Sequence, residues 1–449
     1  MYKALRTAAR WILFLGALAA VSGPGLFGQD VKDMALDASQ KQAIVDEVSK
    51  LLNEKYIFPE TAKKIEDQIR TRLKSGAYDK LGGAREFAQT LSQDLLSVGK
   101  DKHMGFAYAP ERAAELKRRT SQSEDEARAA RERQLAAEKR DNFGFRKVER
   151  LPGNVGYLDF GFFGAADEAG PTMIAALNFL AYCDAVIVDL RQNGGGDTTG
   201  IQLMCSYFFS EPKHLNDILY RDEEKTENYW TLPYVPGPKP ANADLYILTS
   251  SRTFSGAEEF SYNMKNLKRA TQIGETTGGG AHPTEAMIVQ DKFILRVPFA
   301  RAVNPVSKTN WEGTGVVPDI QVPAAQAFDR AYQLAIEKLA AKAAGPEKKS
   351  EYDWILVGLK AKANPVRVDE KILKTYVGTY GDRKITLESG ALQYQRTGPR
   401  YRLTPIGPTL FAVEGLDNFR LEFVVKNGKT VELVGLYDDG ERQPSARTK

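Results

Sequence analysis

The sequence predicts an α/β protein: a core of strands alternating with helices, preceded by a helical N-terminal domain and followed by a small all-β domain. Three observations carry this. Between residues 143 and 345, apolar runs at 155–160, 185–190 and 245–248 alternate with stretches of helical periodicity, the pattern of a sheet covered by helices. Residues 30–110 place apolar side chains at helical spacing, and beyond residue 368 short β segments are divided by turns.

The chain has 449 residues, 42% hydrophobic and 27% charged, enough for two or three domains with an ordinary core. Residues 1–29 read as a signal peptide, because Lys3, Arg6 and Arg10 precede the apolar run 11–21 and Ser22, Gly23, Pro24 and Gly25 follow it. That run is short for a bilayer span, so the expectation is an exported protein, periplasmic or secreted, with no integral membrane span after processing. Losing these three basic residues takes the formal charge from +4 to +1, which implies no nucleic-acid partner. Cys183 and Cys205 are too few for a disulfide framework or a C-x-x-C site, leaving one pair or two buried thiols. With only His103, His214 and His282, a multi-histidine metal site is not expected, and no cofactor is implied.

In order along the chain, helices are expected at 38–56, 59–73 and 83–96 within a helical domain spanning 30–110. Residues 111–142 are nearly all Ala, Glu, Arg, Lys and Gln, as in a charged linker or an exposed helix. The α/β core spans 143–345. The run A-V-I-V-D-L at 185–190 has the continuous apolarity of a strand buried on both faces, and leads into three glycines, Gly194, Gly195 and Gly196. A linker at 346–367 and a β domain at 368–449 complete the expected order, with Asn427-Gly428 as a hairpin turn.

The segment 245–268 organises this arrangement. Residues 245–248 read as a buried strand, 249–254 as a turn, and Ser255 onward as a helix with Phe260, Met264 and Leu267 on one face. Ser255 therefore stands where a strand gives way to a helix. As an N-cap it would complete a capping box with Glu258. As a nucleophile it would lie beside amides able to hold an oxyanion, with the helix dipole favouring negative charge.

The glycines at 194–196 carry neither a G-x-G-x-x-G fingerprint nor a Walker lysine, but they let backbone amides approach a ligand closely. They can supply one oxyanion donor, Gly194 or Gly195, with the amide of Gly256 as the other. A serine nucleophile needs a base. His214 lies in a polar connection and reads as a surface residue, whereas His103, between helical domain and core, and His282, in the loop G-G-G-A-H-P, are equally well placed. Glu312, beside Trp311 in a glycine-rich turn, is a carboxylate that burial could fix as an orienting group.

Five motifs stand in order: D-K-H-M-G-F at 101–106, D-L-R-Q-N-G-G-G at 189–196, T-F-S-G-A-E-E-F at 253–260, G-E-T-T-G-G-G-A-H-P at 274–283 and E-G-T-G-V-V-P-D at 312–319. Together they resemble the C-terminal processing peptidase, or tail-specific protease, family, in the branch of the tricorn protease core and interphotoreceptor retinoid-binding protein. The resemblance implies a crotonase-like (ClpP-like) α/β spiral core and a serine peptidase acting on peptide or protein substrates, with Ser255 as nucleophile, His103 as base and Glu312 as the carboxylate completing the site. Gly256, with Gly194 or Gly195, matches the oxyanion positions. Three departures stand out: residues 276–282 hold no lysine base, Lys102 replaces the serine of the tricorn-type site, and no PDZ-like module precedes the core. The rival reading, suggested by the retinoid-binding relatives, is a non-catalytic binding protein for an apolar, retinoid- or lipid-like ligand; keeping serine, histidine and glutamate together counts against it. Sequence leaves the oligomeric state open.

Overall fold

The computed structural model describes residues 33–221 and 225–448; the expected signal segment 1–29 lies outside them. The described chain forms two compact units, one of residues up to 327 except 150–155, the other of 150–155 and residues from 328 onward.

The first unit begins with α1 (Ala38–Lys55), α2 (Pro59–Lys74) and α3 (Ala84–Gly99). Asp37 starts α1 through a reciprocal capping box with Gln40, and Pro59 opens α2 where its missing N–H costs nothing. Their buried stripes, with Val48 and Leu52 on α1, Ile65 and Ile69 on α2 and Phe87 and Leu91 on α3, share one core with Met104, Phe106 and Leu295. Phe106 lies on β1 (Gly105–Tyr108), so the segment 100–104 is held between this helical layer and a sheet. The charged stretch is helical, as α4 (Pro110–Thr120) and α5 (Glu124–Arg140), and α5 buries no residue.

The remaining elements of this unit are β2 (Phe145–Leu151), β3 (Val155–Phe160), α6 (Ala166–Phe179), β4 (Ala185–Asp189), α7 (Thr198–Tyr207), β5 (His214–Tyr220), β6 (Thr226–Trp230), β7 (Asp244–Thr249), α8 (Gly256–Asn266), β8 (Ala270–Gly274), β9 (Thr284–Val289), β10 (Phe293–Pro298), β11 (Ala300–Val303) and β12 (Ile320–Gln321). The main sheet has the order β12-β8-β7-β4-β3-β2, and β4, β7, β8 and β12 run parallel. Its middle strands are apolar on both faces, as parallel strands covered by helices must be. Two three-stranded antiparallel sheets, β1-β10-β9 and β11-β5-β6, flank it. His214 departs from expectation: it opens β5, half-buried, stacked on Trp230 at 4.6 Å with Nε2 2.6 Å from Asp217. Cys183 and Cys205 are separate buried thiols.

In the second unit α9 (Ala324–Lys342), most of whose residues belong here, is followed by α10 (Pro346–Ala363), α11 (Glu370–Tyr376) and the strands β13 (Gly378–Tyr380), β14 (Arg383–Glu388), β15 (Ala391–Gln395), β16 (Tyr401–Pro405), β17 (Leu410–Val413), β18 (Leu416–Lys426), β19 (Lys429–Tyr437) and β20 (Arg442–Ala446). The linker expected at 346–367 is instead largely α10. Lys348, Lys349, Lys360 and Lys362 are good helix formers, Pro346 and Glu347 suit a first turn, and Tyr352 and Leu356 are buried. The eight strands pair in sequential antiparallel order. A bridge between Tyr380 and Arg447, with Thr448 N donating to Thr379 O, joins the two ends into a barrel.

Candidate active site

The site is assembled where β4 and β7 end side by side. The turn after β7 is tied to the glycine loop after β4 by Ser250 Oγ donating to Arg191 O at 2.6 Å, Thr253 Oγ1 to Leu190 O at 2.8 Å and Phe254 N to Asn193 O at 3.2 Å. Asp189 fixes the base of that loop, taking a bidentate ion pair from Arg191 and a 2.7 Å hydrogen bond from Tyr157.

Ser255 is the N-cap of α8 but not in the usual extended conformation, since φ is +51° and ψ is −122°. A side chain there costs on the order of 1–3 kcal/mol, a strain found chiefly where function requires it. Glu258 accepts from Ser255 N at 2.9 Å and also from Gly279 N, Gly280 N and the Thr277 hydroxyl. One buried carboxylate thus sews the serine turn to the second glycine loop. Burial pushes Glu258 up to about 7 although all four donors pull it down. Its neighbour Glu259, buried with less help, is also pushed up to about 7.

The expected oxyanion donors need revision. Gly194 N is engaged by Gly161 O at 3.2 Å, and Gly195 N by Asn193 Oδ1 at 2.9 Å. Gly195 instead supplies space: a Cβ there would stand 2.8 Å from Gly256 N and from Ser255 Cβ. Gly196 N lies 3.0 Å from where a Gly256 Cβ would be, and neither it nor Gly256 N takes part in any other hydrogen bond among the described residues. The adjacent free amides are therefore Gly196 and Gly256. The sequence signal, three consecutive glycines, contained Gly196, but only the bond pattern singles it out.

The two histidines separate clearly. His103 is buried, its ring 4.7 Å from that of Phe254, the residue before Ser255. Gly280 makes room for it, since a Cβ there would sit 2.5 Å from His103 Cε1. Nδ1 of His103 has no hydrogen-bond partner, and burial holds the imidazole down to about 3, so the ring is uncharged and its surroundings oppose protonation. His282 has both nitrogens occupied: Nδ1 lies 2.6 Å from Asp101 Oδ2, and Nε2 faces Asn310 Nδ2 at 3.3 Å. Glu312 makes no hydrogen bond to the His103 ring. Its Oε1 accepts from Lys102 N and its Oε2 from Ala281 N, each at 2.6 Å, and burial, then Asp101, raises its pKa. The Lys102 amide thus links Glu312 to the loop, a role that does not depend on the side chain at 102. Asp101, His282 and Glu312 place donor atoms within 4.8 Å of one another, but those atoms are engaged with each other and with amides. Asp101 and His282 are the site residues that sequence reasoning did not join; the D-x-H and A-H-P motifs contain them, but nothing local pairs positions 181 residues apart.

The chain is similar to several known proteins. Among solved structures, a putative peptidase from Parabacteroides merdae is 17% identical, over 68% of this chain and 99% of that one, with a TM-score of 0.49. The photosystem II D1 C-terminal processing protease is 16% identical over 63% and 93%, TM-score 0.39, and the tricorn protease 15% identical over 67% and 37%, TM-score 0.42. Residues 34–142 match the N-terminal domain of peptidase S41 in eukaryotic IRBP, and residues 154–322 match the model of peptidase family S41. The matched segments span the helical layer, both glycine loops and the serine turn, so the chain carries a peptidase family S41 domain and the N-terminal domain that accompanies it.

Proposed function

We propose that this serine peptidase hydrolyses peptide bonds through Ser255, His103 and Glu312. The observation that carries the reading is the Ser255 turn: a strained serine at the start of a helix, beside two unengaged amides and one residue from a ring packed on His103. Ser255 Oγ attacks the substrate carbonyl carbon and passes its proton to His103. The oxyanion forms between Gly256 N and Gly196 N, where each donor is worth about 10²–10³-fold in rate. His103 then returns the proton to the leaving amine, and water repeats the sequence on the acyl-enzyme. No hydrogen bond joins Ser255 to His103 in the free site, as is common before substrate closes a catalytic pair. Glu312 acts on His103 through the backbone that carries it.

Within this reading, residues 143–345 form a crotonase-like peptidase core, residues 1–29 direct export, and the substrates are peptide or protein chains whose C-terminal tails are processed. No helix among the described residues is long and apolar enough to cross a membrane. A fluorophosphonate probe followed by peptide mapping tests the assignment: labelling at Ser255, abolished in Ser255→Ala, is expected. Labelling at another serine, or unchanged peptide hydrolysis by Ser255→Ala, overturns it.

A further inference from the structure

We propose that His282 is a positioning residue for the reaction: it joins Asp101 and Glu312 into one clamp around the backbone of residues 101–103, and thereby fixes the imidazole of His103. The inference rests on His103 being the base.

The clamp has two arms. On one side Asp101 Oδ1 accepts from His103 N at 3.1 Å, and on the other Glu312 Oε1 accepts from Lys102 N at 2.6 Å. The second oxygens of both carboxylates converge on His282: Asp101 Oδ2 is 2.6 Å from its Nδ1 and Glu312 Oε2 is 3.7 Å from the same atom. An ionised carboxylate only accepts, so the proton between Nδ1 and Asp101 belongs to His282. The Asn310 amide at Nε2 supports that tautomer, and is itself anchored to Ala302 O at 2.8 Å. Phe58 closes the remaining side edge-on at 5.5 Å.

Without the Nδ1 donor, Asp101 Oδ2 would keep only the Tyr56 hydroxyl at 3.5 Å, the two buried carboxylates would face each other, and repulsion would turn at least one away. The peptide it holds would follow. His103 has no side-chain partner at Nδ1 to resist such a shift, so its placement depends on this backbone clamp. A displacement of about 1 Å at a catalytic group typically costs about a hundredfold in rate.

The test compares full-length His282→Asn, His282→Gln and His103→Ala by peptide hydrolysis, fluorophosphonate labelling and thermal unfolding. Asparagine carries its amide nitrogen the same number of bonds from Cβ as imidazole Nδ1, so it retains the donor, whereas glutamine displaces it. His282→Gln is expected to lose roughly a hundredfold in kcat with KM nearly unchanged, and His282→Asn to recover at least tenfold of that at similar unfolding temperature. Wild-type kcat in His282→Gln, or equal losses in the two variants, overturns the positioning role. If His103→Ala keeps its activity while both His282 variants are dead, the underlying choice of base is what has failed.

Discussion

The peptidase part of the chain and the C-terminal barrel bury polar groups to different ends. In the barrel, Arg383 is enclosed among aromatic residues, but its two terminal nitrogens bond to Gln443, its plane lies over Phe419, and Gly435 leaves the space it needs. Arg420 is likewise covered by Trp354 and bonded to its carbonyl. Positive-φ residues other than glycine occur there at hairpin turns, Ser389 and Asn427. In the peptidase part, Ser255 is one of several non-glycine residues at positive φ, two adjacent buried glutamates are pushed up to about 7, and His103 is held down to about 3. Burial also holds Arg420 down to about 10, so both regions keep buried charge away from its ordinary state; what sets the core apart is that Glu258 and His103, both shifted, flank a serine of unusual backbone conformation, the placement expected when strain serves chemistry.

The sharpest way to break this contrast is to substitute at its two centres. Ser255→Ala removes the nucleophile, and a loss of at least 10³-fold in kcat is expected with the fold intact, read by peptide hydrolysis and circular dichroism. Phe411→Ala in the barrel removes a ring packed against Tyr376 and Phe423. It should cost about 3–5 kcal/mol of stability in denaturant unfolding, yet leave fluorophosphonate labelling of Ser255 unchanged below the transition. If labelling falls in parallel with stability, the two regions are not as separate in role as their buried groups suggest.

How much of this was legible in the sequence follows the same division. The strand, turn and helix around Ser255 were readable because a buried parallel strand is a continuous apolar run and α8 keeps its helical period. The three helices before His103 were readable for the same reason. Helix α10 was not, because the lysines at both its ends look like a solvated linker until the fold buries Tyr352 and Leu356 between them. At the site, single positions were legible but their wiring was not. Glu312 stood out beside Trp311, yet only the fold shows it holding the Lys102 and Ala281 amides rather than a ring. Likewise, which of three glycines keeps a free amide depends on Gly161 and Asn193, distant or undistinguished in the sequence.

A smaller effect separates the glutamates by pH. Glu259 is fully buried and its folded pKa, about 7, lies above the ordinary 4.5, mainly through burial. Its contribution is therefore present below pH 4.5 and is lost as pH rises through 7. Glu259→Gln should match wild type near pH 5 and exceed it near pH 8 by on the order of 1–3 kcal/mol in denaturant unfolding. His103 has the opposite sign: its folded pKa of about 3 lies below 6.5, so its contribution is present above pH 6.5 and is lost as pH falls toward 3. Equal stability of wild type and Glu259→Gln at pH 8 would mean that a cation or water neutralises Glu259, and would weaken the case for imposed strain.

The smallest effect isolates the strain at the nucleophile. Ser255→Ala and Ser255→Gly both abolish the hydroxyl, so neither should hydrolyse peptide. They differ in backbone: alanine keeps the Cβ that crowds at φ +51° and ψ −122°, whereas glycine adopts this conformation freely. Glycine also loses more entropy on folding, an opposing term of up to about 1 kcal/mol. Since the strain is on the order of 1–3 kcal/mol, Ser255→Gly should be the more stable by about 1 kcal/mol, seen as a higher midpoint at unchanged m-value. The same exchange at Ser389, whose φ of +48° lies at a hairpin turn, is the control. A gain at Ser389 but none at Ser255 would show that the helix and the Glu258 carboxylate already relieve the serine's conformation, and that the backbone there is held without cost.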